Sequence, residues 1–277
     1  MLNYNGQLLA ASDIHLSTKN RAFNYGDAVF ETIKSLGDRL VFFEDHYFRL
    51  MASMRMLRME IPMSFTLEFL ESEILKTLTT QELGASCRIR CTVFRKDGGL
   101  YAPTTNEVSY LIEATPYQYV AKESYVVDVY KDFYNYSGML STLKTNNRML
   151  NTLASIYQQE NDLDTCILLN ERKGVAEAIQ GNVFVVKGTH IKTPALTEGC
   201  MNGIARKKIL ELLEKNEHYT VEETAFSPFE IQKADEVFMS NSLMGVQVVT
   251  QYKKKTFTTV IGKKIQASFA LLERTQS

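Results

Sequence analysis

The sequence lacks the marks of several protein classes. It has no imbalance of charge: 31 Lys+Arg stand against 32 Asp+Glu, a formal net charge of −1. Nothing in that balance calls for nucleic acid or an acidic membrane surface as a partner. Cysteine is scarce. Cys87, Cys91, Cys166 and Cys200 form no CxxC pair, and His15, His46, His190 and His218 do not cluster with them. A disulfide framework or a metal site is therefore not expected, and dispersed, reduced thiols suit a cytoplasmic protein. The start, MLNYNGQLLAASD, has neither a cationic opening nor a long apolar run, so no signal peptide is read. No uninterrupted apolar segment is long enough to cross a bilayer. Internal repeats and low-complexity tracts are missing as well.

What is present is an alternation of strand and helix patterns along 277 residues, enough for two cores. Strand-like runs NYNGQLL, GDAVFETIKSL and RLVFF open the chain. A helix is expected over 44–58, where Tyr47, Leu50, Met51, Met54 and Leu57 fall on one face, and a second over about 65–81. Strands CRIRCTVFR and EVSYLIEAT follow. PYQYVAKES, 116–124, begins with proline and reads as a boundary. Beyond it come the strand YVVDVYK, a hairpin turning at ERKG, a helix entered through Gly203, the strand EVFMSN and a last helix near 263–275. The expectation is an α/β (α+β) chain of two domains, 1–117 and 118–277.

Several stretches could carry chemistry. In STLKTNNRMLNTLASIY, Lys144, Asn147, Arg148 and Asn151 recur at helical spacing, which predicts one polar helix face with two cations and no acid. That pattern suits a solvated face or a lysine aimed at an anionic cofactor. In CMNGIARKK, the free N–H groups after Gly203 favour a phosphate or carboxylate, with Arg206, Lys207 and Lys208 adding charge nearby. Glu177 lies among Val175, Ala176, Ala178 and Ile179, either on an exposed strand or as a partner for a cation. Arg49 beside the apolar stripe could equally cover it with its stem.

Taken together, NYGDAVFETIK, HYFRL, LKTNNRMLNTLA, GVAEAIQGNVFVV, NGIARKKIL and ADEVFMSNSLMGV resemble, in order and rough spacing, the fold-type IV pyridoxal-phosphate enzymes. This class holds branched-chain aminotransferases, D-amino-acid aminotransferases and aminodeoxychorismate lyases. The resemblance implies a smaller N-terminal α/β domain and a larger C-terminal domain carrying the cofactor lysine, Lys144. It implies pyridoxal 5′-phosphate as cofactor, with Glu177 against the pyridine nitrogen. Arg49, the backbone of Ile204 and Ala205, and Ser242 (or Ser240, by register) fall at the phosphate. Tyr25, Phe30 and Arg95 fall in substrate-facing segments, and a homodimer is implied, with 133–136 and the NYGDAVFETI segment as interface candidates. The chain lacks the arginine–histidine pair that D-amino-acid aminotransferases carry after Arg95. The implied activity is transfer of the amino group of a small amino acid, branched-chain ones among the candidates, to an α-keto acid. Aminodeoxychorismate lyase activity is the alternative, and a non-catalytic binding protein of the same fold the remote one.

Overall fold

The structure, a computed structural model, describes residues 1–81, 83 and 85–275. The chain divides into two compact units. The first comprises Met1–Gln118, Lys144–Asn147 and the chain end from Arg274; the second comprises Tyr119–Leu143 and Arg148–Glu273.

The first unit contains β1 (Leu2–Tyr4), β2 (Gln7–Leu9), α1 (Arg21–Tyr25), β3 (Ala28–Leu36), β4 (Arg39–Leu40), α2 (Phe43–Met56), α3 (Leu67–Thr79), β5 (Ser86–Arg95) and β6 (Val108–Pro116). Its six strands form one sheet in the order β2-β1-β6-β5-β3-β4, every pair antiparallel. Strand alternation gives that sheet two faces. Val29, Ile33, Ile89, Cys91, Val93 and Ile112 share one and pack with Leu50 and Met54 of α2 and Leu70 and Ile74 of α3. Those four helix residues recur at helical spacing and are almost fully buried, each contributing about 1.5–3 kcal/mol. Thr66 fixes the start of α3 by accepting from the Phe69 N–H at 3.2 Å. RLVFF is a strand only through Leu40, because α2 begins at Phe43.

The second unit contains β7 (Val126–Val129), α4 (Met149–Glu160), β8 (Thr165–Leu169), β9 (Val175–Ala178), β10 (Asn182–Lys187), β11 (His190–Thr193), α5 (Ile204–Glu214), β12 (Thr220–Glu223), α6 (Pro228–Lys233), β13 (Glu236–Asn241), β14 (Gly245–Val249), β15 (Gln251–Tyr252), β16 (Lys255–Thr256) and α7 (Val260–Thr275) up to Glu273. The strands make two five-stranded sheets, β12-β11-β10-β13-β14 and β16-β15-β7-β8-β9. Val127, Ile167 and Val175 of one sheet meet Val183, Val237 and Val249 of the other in a common core. The hairpin β8–β9 turns at ERKG, where the Asn170 carboxamide oxygen accepts from the Gly174 N–H at 2.9 Å. Buried Glu236 caps α7, accepting from the Ile261 and Gly262 N–H groups at 3.0 and 2.8 Å.

The segment around Lys144 differs from the sequence reading. α4 begins at Met149, so Lys144 and Asn147 are not on a helix. The Phe30 N–H donates to the Lys144 carbonyl at 2.8 Å and the Asn146 N–H donates to the Ala28 carbonyl at 3.0 Å. Strand-like pairing with β3 thus uses backbone groups that a helix would have used. The same pairing groups Lys144–Asn147 with the first unit rather than with the expected 118–277 domain.

Candidate active site

Lys144 leaves the edge of β3 beside an aromatic ring. Its Nζ lies 4.6 Å from the centroid of Phe30, and the Arg90 guanidinium carbon lies 3.7 Å from the same centroid. Two cations on one ring are held by its quadrupole and by flanking polar groups. Arg90 Nη2 donates to the Asn146 side-chain oxygen at 3.1 Å and Nε to Thr92 Oγ1 at 3.2 Å. Arg90 therefore belongs to the lysine neighbourhood, although nothing singled it out in the sequence. The register does: Phe30, Thr92 and Arg90 fall on the sheet face opposite the core. Gly26 is required here. Its φ is +64°, and a Cβ would collide with the Asn147 side-chain oxygen. Tyr25, just before it, has its ring 5.7 Å from Tyr101, with the Arg21 guanidinium 5.0 Å from its centroid.

Arg49 of α2 meets Glu31 of β3 through two bonds, Nε to Oε1 at 2.8 Å and Nη2 to Oε2 at 2.5 Å. His46 Nδ1 also lies 2.7 Å from Glu31 Oε2. Burial alone would raise the Glu31 pKa, but the charge and hydrogen bonds of Arg49 and His46 reverse this and lower it to about 2. Burial lowers the His46 pKa despite Glu31, so the ring is neutral at pH 7 and Nδ1–H donates. Its Nε2 is buried with no hydrogen-bond partner among the described residues. The sequence reading missed Glu31 and His46. The signal available was Glu31 at the core-facing parity of β3, between Val29 and Ile33, which demands a buried partner.

Arg95 requires a correction. It is buried, and its guanidinium is committed inside the protein: Nε to Asp27 at 2.9 Å, Nη1 to Asn106 at 2.5 Å and the Arg58 carbonyl at 3.2 Å, and Nη2 to the Leu57 carbonyl at 2.7 Å. Asp27 also accepts from Arg21 Nε at 2.8 Å, and Arg21 holds the 98–101 loop through the carbonyls of Gly98, Leu100 and Tyr101. These arginines build the loop, and the Arg95 guanidinium is spent on Asp27, Asn106 and backbone carbonyls.

In the second unit, buried Glu177 of β9 accepts from the Met201 N–H at 2.9 Å through Oε2. The Asn182 carboxamide donates to the Met201 carbonyl at 2.9 Å. This ties 201–203 beside Glu177 and delivers the start of α5. Gly203 is its N-cap and supplies no side-chain cap, and a Cβ there would collide with the Asn182 oxygen. Ile204 and Ala205 thus open the helix with first-turn N–H groups and the positive end of its dipole. The charge expected from Arg206, Lys207 and Lys208 is used elsewhere. Arg206 pairs with Glu223 at 2.5 Å, while Lys207 and Lys208 lie 3.9 and 3.3 Å from Glu211. Ser240 is fully buried in β13, and its Oγ has no hydrogen-bond partner among the described residues. Ser242 is half-buried in a turn that Asn241 organises by accepting from the Leu243 and Met244 N–H groups at 2.9 and 2.8 Å. Arg148 sits at the start of α4 and donates to the Leu143 carbonyl at 3.1 Å.

The sequence profile described as "Amino-transferase class IV" matches residues 28–252. The chain belongs to the class IV aminotransferase family. This family consists of pyridoxal-phosphate-dependent enzymes, aminotransferases and lyases. The chain is 30% identical over 242 residues to an aminodeoxychorismate lyase of Vibrio harveyi, covering 85% of this chain and 87% of that one. It is 26% identical over 264 residues to a probable branched-chain-amino-acid aminotransferase of Aquifex aeolicus, covering 90% and 83%. Its fold matches the crystal structure of a branched-chain aminotransferase from Thermoproteus uzoniensis with norvaline, at TM-score 0.90 and 19% identity, over 100% of this chain and 95% of that one. The expected fold-type IV architecture is the one found. Among the described residues no helix is long and apolar enough to cross a membrane.

Proposed function

We propose that this chain is a pyridoxal-5′-phosphate-dependent aminotransferase. It takes the amino group of a small α-amino acid, branched-chain ones among the candidates, and passes it to an α-keto acid. The observation that carries the reading is Lys144, held in extended backbone with its ammonium against Phe30 and beside Arg90. The cofactor, when bound, supplies an aldehyde for an amine and a ring that accepts the electron pair left when a proton leaves carbon.

The chain's own residues fit that group. Lys144 would provide the amine that holds the cofactor and the base that moves the proton at the substrate carbon. Glu177, buried and fixed by the Met201 N–H, is the carboxylate that would favour a proton on the pyridine nitrogen of the cofactor. Arg49, with one guanidinium edge set by Glu31, would hold the cofactor phosphate, as would the N–H groups of Ile204 and Ala205 and the Ser242 hydroxyl. The uncapped glycine start of α5 is the cradle that supports this assignment. Tyr25 and Phe30 line the substrate side, and Arg90 takes the carboxylate role expected of Arg95.

A second reading, aminodeoxychorismate lyase, is favoured by the 30% identity to the Vibrio harveyi enzyme. It uses the same residues, releases pyruvate and leaves 4-aminobenzoate. The test is a single turnover without any amino acceptor. L-leucine, L-glutamate, D-alanine and aminodeoxychorismate are offered in turn. The aminotransferase reading expects a keto acid from at least one simple amino acid. Pyruvate from aminodeoxychorismate, with no keto acid from the others, replaces it with the lyase. In either case Lys144→Ala abolishes the visible band, and borohydride fixes the cofactor on Lys144 of the unaltered protein. Reduction onto another lysine overturns the site.

A cytoplasmic location and a homodimer complete the proposal. Phe133, Tyr136, Met139 and Leu140 are 55–75% exposed and support the 133–136 segment as a contact face. In NYGDAVFETI, by contrast, Ala28, Val29 and Phe30 are buried within the chain.

A further inference from the structure

Three stretches of the second unit, distant in sequence, are pinned together a few residues from Glu177. They are the β8–β9 hairpin at 170–174, the stretch 135–137, and the short 3₁₀ turn Leu196–Glu198 with the Gly199 that ends it. Asn170 is fully buried and uses both ends of its carboxamide. The oxygen accepts from the Arg172 and Gly174 N–H groups at 3.1 and 2.9 Å, which shapes the hairpin. The nitrogen donates to the Glu198 carbonyl at 3.1 Å and to Glu198 Oε2 at 2.7 Å. Arg172 Nη2 donates to the same Oε2 and to the Thr197 carbonyl, both at 3.1 Å. Asn135 Nδ2 holds the Gly199 carbonyl at 2.8 Å. Gly199 has φ +92°, and a Cβ there would stand 3.1 Å from Ser137 Cα.

The address of Glu198 is what makes this cluster informative. Met201, three residues on, donates its N–H to Glu177 Oε2 at 2.9 Å, and Glu177 lies three residues beyond Gly174. Two crossbars therefore join the same two stretches of chain, 170–177 and 198–201. One is Asn170–Glu198 and the other is Met201–Glu177. Between the crossbars on the second stretch stand only Gly199 and the fully buried Cys200. A backbone N–H two residues from a fixed crossbar has little freedom, so the place of the first crossbar sets the second. The Arg172 pair alone would add little, because its guanidinium is largely exposed. The buried bond from Asn170 to a carboxylate is of the stronger, charge-assisted kind.

We propose that Glu198 is a positioning residue for Glu177. Held by Asn170 and Arg172, it fixes the Met201 N–H and, through that donor, the orientation of the Glu177 carboxylate. The inference rests on the proposed function, in which Glu177 serves the cofactor ring. It adds a residue that touches neither cofactor nor substrate and acts through the backbone between two crossbars.

The test begins with amide hydrogen exchange on the chain without cofactor. Glu198→Ala should speed exchange at Met201 by about 10-fold or more relative to the amides of β10, the worth of a charged hydrogen bond. Glu198→Gln keeps an oxygen for Asn170 and should restore part of the protection. Arg172→Ala should change it least. In the cofactor-loaded protein, kcat of Glu198→Ala should fall about 10-fold with KM nearly constant, as expected when a group is misplaced at the reacting centre. The pH at which the visible cofactor band changes should shift in Glu198→Ala and recover partly in Glu198→Gln. If Glu198→Ala does not fold, Glu198→Gln and Arg172→Ala carry the same comparison. Equal acceleration at Met201 and in β10, with kcat and the band unchanged, makes the cluster a fastening of the hairpin only and overturns the inference. A visible band that is absent from the unaltered protein overturns the reading of Lys144 and Glu177, and the positioning role with it. A band that is present beside equal acceleration leaves that reading standing and removes Glu198 alone.

Discussion

Strand β5 carries Arg95 at one end and Arg88 near the other, in opposite electrostatic settings. Arg95 is buried and spends its donors on Asp27, Asn106 and two backbone carbonyls. Arg88 is half-buried, faces Lys34 across the sheet and has no partner among the described residues. In the sequence both are arginines in a strand close to a glycine-rich loop or its partner, and the loop made Arg95 look like the substrate residue. The structure shows that partners decide. An arginine inside a saturated network builds the fold, and one without partners does not.

The largest expected effect breaks the saturated end. Arg95→Ala removes a buried cation from Asp27 and strips donors from Asn106 and the Leu57 and Arg58 carbonyls. Loss of one partner of a buried pair costs about 3–5 kcal/mol. Arg21 still holds Asp27, which favours the lower part of that range. Urea unfolding followed by circular dichroism measures it. A loss below about 1 kcal/mol, ordinary for a surface substitution, would place Arg95 outside the structural network.

Much of the fold was legible because it depends on local periodicity. The stripe Leu50, Met51, Met54 gave α2, the alternation in CRIRCTVFR gave β5, and the ERKG turn lies between β8 and β9. Lys144 was identifiable as a cation beside polar residues without an acid, but its conformation was not. Helical spacing at 144, 147, 148 and 151 is also compatible with a segment whose first part pairs with a distant strand, and the pairing partner Ala28–Phe30 lies more than a hundred residues away. The misreading of Arg95 has the same origin. Asp27, Leu57, Arg58 and Asn106 are scattered in sequence and meet only after folding. Glu31 was legible in principle, since β-strand parity alone puts it on the core face.

That buried carboxylate sets the next effect, on acid stability. Glu31 has a pKa lowered to about 2 in the fold against 4.5 for an unburdened glutamate. A depressed carboxylate contributes stability that is complete above the unfolded pKa and is lost as pH falls from about 4.5 toward 2. The shift corresponds to about 3 kcal/mol. His46 acts in the same direction earlier in the titration. Its folded pKa is depressed below 6.5, so the unfolded chain takes up the proton first and stability begins to fall as pH drops below 6.5. The expected curve of unfolding free energy has two acid limbs. Glu31→Gln should flatten the lower limb, and His46→Gln the upper one. An unchanged lower limb in Glu31→Gln would mean that other carboxylates carry the acid transition.

The smallest expected effect is the stability of Arg88→Ala, and it sharpens the comparison most. The variant removes a cation that faces Lys34 and breaks no hydrogen bond or ion pair among the described residues. It also removes the aliphatic stem that covers part of the half-open face, a loss that acts in the other direction. The two terms are each a few tenths of a kcal/mol, so the net change should stay within about 0.5 kcal/mol. Salt separates them. Screening weakens the repulsion between Arg88 and Lys34 in the unaltered protein, so added salt should stabilise it relative to Arg88→Ala. Urea midpoints of both proteins at low and high salt measure this. A destabilisation close to that of Arg95→Ala would show that Arg88 belongs to the architecture, and the contrast between the two ends of β5 would disappear.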